Sequence, residues 1–120
     1  MKPTSKGERR RDHRFPTPRG MWVSWKFEKR GNTSRVLDFS ASGAFIDSPL
    51  ILEIDTPLKL IFAMAEGELK IDAIVRSIKC GKGMGVEFVS VGGKEFKLIL
   101  KALKRLKRSN ADRGANMEVR

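Results

Sequence analysis

The residues best suited to chemistry in this chain are built to bind rather than to break bonds. Arg9, Arg10, Arg11 and Arg14 fall in the run Arg9-Arg10-Arg11-Asp12-His13-Arg14, with Arg10 and Arg14 four positions apart. A second polar group lies in Asp38-Phe39-Ser40-Ala41-Ser42-Gly43. A guanidinium presents a planar fork of donors that holds a phosphate through two charge-assisted hydrogen bonds, which lysine does less well. An ionised aspartate only accepts hydrogen bonds, so Asp38 suits an edge that donates. On a strand, alternation turns Asp38 and Ser40 to one side. Gly43 has no Cβ, which permits a positive φ and a close approach of backbone to a bound group.

Catalytic groups are missing by contrast. His13 is the single histidine, which excludes a two-histidine metal site and leaves a serine–histidine pair dependent on the N-terminal segment. The single cysteine, Cys80, forms neither an internal disulfide nor a metal cluster. Carboxylates are scattered singly, and no glycine-rich loop leads into a lysine and serine. Gly83-Met84-Gly85 is a hairpin rather than a phosphate loop. The sequence therefore predicts no catalytic residue, no metal ligand set and no cofactor, and a protein that is not an enzyme.

A length of 120 residues, with 40% hydrophobic and 32% charged, fits one globular core. The net charge of +11 is polarised. Residues 1–20 hold seven basic and two acidic side chains, 94–108 hold seven and one, and residues 21–93 balance at nine of each. Concentrated positive potential at two ends of a neutral body points to a localised anionic partner. The lone cysteine and the absence of an apolar h-region predict a cytoplasmic protein. The greasiest stretch, Leu50 to Ala65, is interrupted by Glu53, Asp55 and Lys59 and does not span a bilayer.

These residues need a scaffold, and the patterning supplies one. Residues 1–19, rich in proline and arginine, have no apolar periodicity and read as a flexible basic arm. From Met21 the chain alternates, with Met21, Val23, Trp25 and Phe27 on one side and Trp22 on the polar side. Gly31-Asn32 is a turn signal, after which Leu37 and Phe39 face one way and Val36, Asp38 and Ser40 the other. Further strands are predicted at Ala44–Asp47, Leu58–Met64, Leu69–Arg76 and Met84–Phe88. Six short antiparallel strands without intervening helices predict an all-β fold, a six-stranded antiparallel barrel, because closure removes exposed edges. Beyond Gly92-Gly93 the period changes to 3.6, and a stripe of Phe96, Ile99, Leu100, Leu103 and Leu106 predicts a C-terminal helix docked on the barrel. The barrel and helix occupy 20–108, and 109–120 read as a disordered tail.

The RxxxR pair Arg10/Arg14 followed by Asp38-x-Ser40-x-x-Gly43, with a closing Gly83-Met84-Gly85-Val86-Glu87-Phe88 strand, resembles the PilZ family over residues 9 to about 90. The resemblance implies a receptor for cyclic di-GMP, two guanines on a ring with two phosphodiesters. The residue types suit that ligand. Arginine matches the O6 and N7 acceptors of guanine as well as phosphate, and Asp38 can accept from the N1–H and exocyclic amine. In that family Arg9, directly before the pair, goes with an intercalated ligand dimer. Arg9, Arg10, Arg14, Asp38, Ser40 and Gly43 are thus the expected ligand-binding residues. Arg11, Ser42 and Arg76 are secondary candidates, Arg76 by stacking on a guanine face. The expected mechanism is an arm that closes over the ligand and alters a surface read by a downstream protein partner.

Two alternatives compete. A basic barrel binding single-stranded nucleic acid fits the charge, but aromatic residues are not interleaved with the basic ones, which speaks against it. A PilZ-like adaptor docking a protein through its basic helix is compatible with ligand binding.

Overall fold

The computed structural model describes residues 14–17, 21–48 and 52–119, with side chains to position 109. Seven strands and a helix follow in chain order: β1 (Phe15–Pro16), β2 (Trp22–Phe27), β3 (Arg30–Phe39), β4 (Gly43–Asp47), β5 (Pro57–Met64), β6 (Gly67–Lys79), β7 (Gly83–Val89) and α1 (Gly93–Val119). Six of them pair antiparallel in the order β3-β2-β5-β6-β7-β4, and a β3–β4 pairing closes the ring. The predicted barrel with a C-terminal helix is what forms. Period-two alternation drives it: Val23 and Trp25 on β2, Leu58, Leu60 and Phe62 on β5, and Met84, Val86 and Phe88 on β7 all point inward and are buried.

Three phenylalanines from β3, β5 and β7 tie the walls together. The rings of Phe39, Phe62 and Phe88 meet at centroid separations of 5.5, 5.7 and 5.9 Å, tilted contacts that add about 0.5–1.5 kcal/mol each beyond burial. Trp25 is buried as well, and its indole N–H donates to the Ser34 hydroxyl at 3.2 Å, so no polar group is stranded there. Trp22, on the polar side of β2, is exposed, as its alternation predicts.

The structure departs from the sequence reading in four places. The β2–β3 turn is made by Glu28 and Lys29, not Gly31-Asn32, because Phe27 pairs with Arg30 and leaves a two-residue loop. Glu28 adopts φ 55° to make it. Burial of Val23 and Trp25 sets this register and overrides the glycine's local preference. Secondly, residues 14–17 are not free arm: β1 is laid along β3, with Phe15 packed against the core.

The helix accounts for the other two. Its buried line is Ile99, Ala102 and Leu106, while Phe96 and Leu100 are 45% and 43% exposed. The small Ala102 lets the axis approach the barrel, and Leu98 lies where a Cβ on Gly67 would meet it at 3.6 Å. Finally, α1 continues to Val119 instead of giving way to a tail at 109. No proline interrupts residues 109–119, and Gly114 alone costs about 1 kcal/mol, too little to stop a helix already nucleated.

One ion pair fastens helix to barrel. Arg105 donates through Nε and Nη2 to the two oxygens of Glu66, at 2.6 and 3.1 Å. That hydrogen bond holds the Glu66 carboxyl below its ordinary 4.5, against the opposing effect of burial. Arg105 remains a third exposed, so screening limits the pair to about 1 kcal/mol. A folded-state pKa below the unfolded one stabilises fully above the unfolded value and loses that contribution as pH falls through the folded value. Arg105→Met is therefore expected to lower stability by about 1 kcal/mol near pH 7. In urea titrations the gap from wild type should narrow as pH falls below the ordinary carboxylate value of 4.5.

Candidate functional site

The site begins with a length mismatch at β3. On one edge β2 pairs with β3 as far as Trp22↔Arg35, and one further bond runs from the Val36 amide to the Met21 carbonyl at 3.0 Å, leaving the end of that edge to another partner. The short β1 fills the gap, with Phe15↔Phe39 and Pro16↔Asp38. Thr17 completes the clamp: its amide donates to the Leu37 carbonyl at 3.1 Å and its hydroxyl to the Val36 carbonyl. Proline is tolerated in β1 because this strand lies at the margin of the sheet.

The clamp delivers Arg14 to Asp38. Nη1 of Arg14 lies 2.9 Å from Oδ1 of Asp38, and the two side chains are 47% and 31% exposed. A pair this open to solvent is worth about 0–1 kcal/mol, so both partners can rearrange around an incoming group at little cost. The guanidinium keeps further donors, and the carboxylate keeps a second oxygen.

Asp38 alternates with buried Phe39 and is turned toward solvent, whereas Val36, expected on the same side, is turned inward by a β-bulge. The β3–β4 register shifts between Val36 and Asp38, so Val36 and Phe39, three residues apart, are both fully buried. An extra residue in one strand breaks the period-two rule at that point. Ser40, one residue beyond the end of β3, departs from expectation: it is buried in the turn rather than displayed beside Asp38. Its hydroxyl accepts from the Gly43 amide at 3.1 Å and lies 3.2 Å from the Gly43 carbonyl, to which the Ser40 amide also donates at 2.8 Å. Ser40 thus shapes the turn between β3 and β4.

Gly43 is corrected too. It is not among the residues with positive φ. A Cβ there would overlap the Val86 carbonyl oxygen, so its missing side chain allows β4 and β7 to pair closely. Ser42 is exposed at the turn, and its carbonyl accepts from the Phe88 amide at 2.7 Å. The turn is pinned to β7.

Arg76 is held within its own wall rather than brought to Asp38. Its Nε lies 2.5 Å from Glu87 and its Nη1 2.9 Å from Asp55. Glu87, and then Asp55, push its pKa further above the arginine range. Arg9, Arg10 and Arg11 lie outside the described residues.

One further residue borders Asp38 that sequence reasoning did not single out. Phe45 on β4 is the register partner of both Asp38 and Gly85 and is half-buried on the outer face, with the Lys79 ammonium 5.7 Å from its ring centroid. The alternation of Ala44 and Ile46 inward with Phe45 outward was the available signal. A separate groove of about 410 Å³, lined in part by Lys59, Ile61, Lys70 and Asp72, crosses β5 and β6 on the opposite wall. It does not include Asp38. Among the described residues no group of three His, Cys, Asp or Glu is placed to hold a metal ion, and no helix is long and apolar enough to cross a membrane.

Comparison with known proteins adds the following. A family model described as the PilZ domain matches residues 8–105. The PilZ domain of YcgR from Escherichia coli, solved with c-di-GMP, superposes with a TM-score of 0.70 at 16% identity, covering 89% of this chain and 98% of that one. The K. pneumonia MrkH–c-di-GMP complex gives 0.71 at 20% identity, covering 86% and 54%. The Bacillus subtilis inhibitor of motility MotI/DgrA gives 0.69 at 17%, covering 82% and 51%. The chain spans about half the length of the last two. No curated protein matches by sequence.

The geometry separates scaffold from contact residues. Gly43→Ala is expected to destabilise the fold by about 2 kcal/mol, because the added methyl forces β4 from β7. Asp38→Ala should cost less than about 1 kcal/mol. Urea denaturation of the two variants checks the order.

Proposed function

From the premise that the chain belongs to the PilZ domain family, we propose that it is a non-catalytic receptor for cyclic di-GMP, held where the N-terminal segment meets β3. The observation that carries this reading is the Arg14–Asp38 pair, which brings a guanidinium from the leader against a carboxylate on the barrel wall. Solved PilZ structures of the same fold contain that ligand, which supports it.

In this reading Arg14 turns its fork to a guanine O6/N7 edge or a phosphate, and Asp38 accepts from the guanine N1–H and amine. Ser40 and Gly43 hold the turn that sets the height of Asp38, and Ser42 lies at its rim. Arg9 and Arg10 add guanidinium groups from the leader, enough for a second, intercalated ligand. Phe45, beside Asp38, offers an apolar floor for a base. The receptor acts in the cytoplasm on a downstream protein. Because β1 contacts both β3 and α1, closure of the leader over the ligand would be felt at the helix.

Titration calorimetry with cyclic di-GMP, with cyclic di-AMP and GTP as controls, tests the assignment. Arg14→Ala and Asp38→Ala should each weaken binding by about 1.5–3 kcal/mol, roughly tenfold to more than a hundredfold. Unchanged affinity in both variants would overturn the site. Wild type should take up two ligands per chain, and Arg9→Ala one. A stoichiometry of one in wild type would remove the dimer.

A further inference from the structure

The part of α1 that faces solvent has an organisation that docking on the barrel does not require. Ile99, Ala102 and Leu106 are buried against the barrel. A second stripe, Phe96 and Leu100 with half-buried Leu103, runs beside them toward solvent. A third, Lys94, Lys97, Lys101, Lys104 and Arg108, repeats every three or four residues and is exposed throughout. Lys107 is exposed as well. Glu95 is the one acidic side chain of α1 among the described residues, and its carboxylate sits beside Gly92 rather than in the cationic stripe. Arg105 belongs to none of these faces, being paired with Glu66.

We infer that this face of α1 docks the protein on an anionic lipid surface, the helix lying in the plane of the headgroups with Phe96 and Leu100 inserted and the lysine stripe on the phosphates. Three observations select this occupant. The cations are almost all lysines, which act as point charges on a diffuse anionic layer, whereas the centres of protein–protein interfaces are depleted in lysine and favour arginine. An exposed phenylalanine and leucine flanked by cations match the interfacial helix, whose apolar edge enters the acyl boundary while its charges stay with the headgroups. A second copy of the chain would set cation against cation, so self-association through this face is disfavoured.

The test is sedimentation of the full chain with vesicles containing about 30% phosphatidylglycerol in phosphatidylcholine, against pure phosphatidylcholine. The protein should bind the anionic vesicles only and be released by about 0.5 M salt. Each lysine near such a surface is worth about a fivefold change in partitioning, so Lys97→Gln/Lys101→Gln/Lys104→Gln should weaken binding about a hundredfold. Phe96→Ser/Leu100→Ser should weaken it about tenfold without changing its salt dependence. All five positions are exposed or partly exposed, and thermal melting verifies that the variants fold. Failure of wild type to bind anionic vesicles, or equal binding by the variants, overturns the inference. So does lysine-dependent capture of a short DNA duplex in place of vesicles, which would assign the face to nucleic acid. None of these outcomes depends on cyclic di-GMP, so the receptor reading stands or falls separately.

Discussion

Strand β3 has more hydrogen-bonding edge than its barrel neighbour can cover, and the placement of the polar site follows from that excess. β2 runs out at Arg35, the Val36 amide donates to the Met21 carbonyl, β4 takes the other edge, and the ladder groups beyond need a partner. Exposed strand edges invite unwanted pairing. The chain answers by folding its own leader onto the gap, and the side chain immediately before that segment is Arg14. Covering that edge therefore also positions a cation over Asp38.

Around that pair the energetics are uneven, and the unevenness divides scaffold from solvent-open polar groups. Ser40 and Gly43 are buried, and the backbone of their turn is bonded to itself and to β7. Substituting them disturbs the wall. Arg14 and Asp38 are held by one solvent-open ion pair, which contributes little to stability and is easily remade around another charged group. Residues of a polar motif that look equivalent in sequence thus play two physical roles. Arg76 is a third case, a cation already neutralised by Glu87 and Asp55 within its own wall.

The helix shows the same division along its length. One face is consumed by the barrel through Ile99, Ala102, Leu106 and the Arg105–Glu66 pair, while the remainder presents lysines and an apolar ridge to solvent. Since α1 also contacts β1, the leader stands between the polar site and the helix.

How much of this was legible depends on the range of the forces involved. Strand alternation, the 3.6 period and the order of the arginine cluster, Asp38 and Gly43 are local, and they sufficed for the six-stranded barrel, its terminal helix and the PilZ family. The side of Asp38 was read correctly, and that of Val36 was not, because a bulge between Val36 and Asp38 shifts the period by one and is set by pairing with β4. Ser40 lies past the end of the strand, where its hydroxyl is bonded to the Gly43 backbone. The glycine at 31 signalled a turn that burial of Val23 and Trp25 moved to Glu28-Lys29. Leu100 and Phe96 fit an apolar stripe in sequence, yet close approach of the helix at Ala102 rotated them out to solvent. Patterns of neighbours along the chain decided which elements form. Which residue of an element meets which partner was decided only in three dimensions, where burial and strand register outweigh local preference.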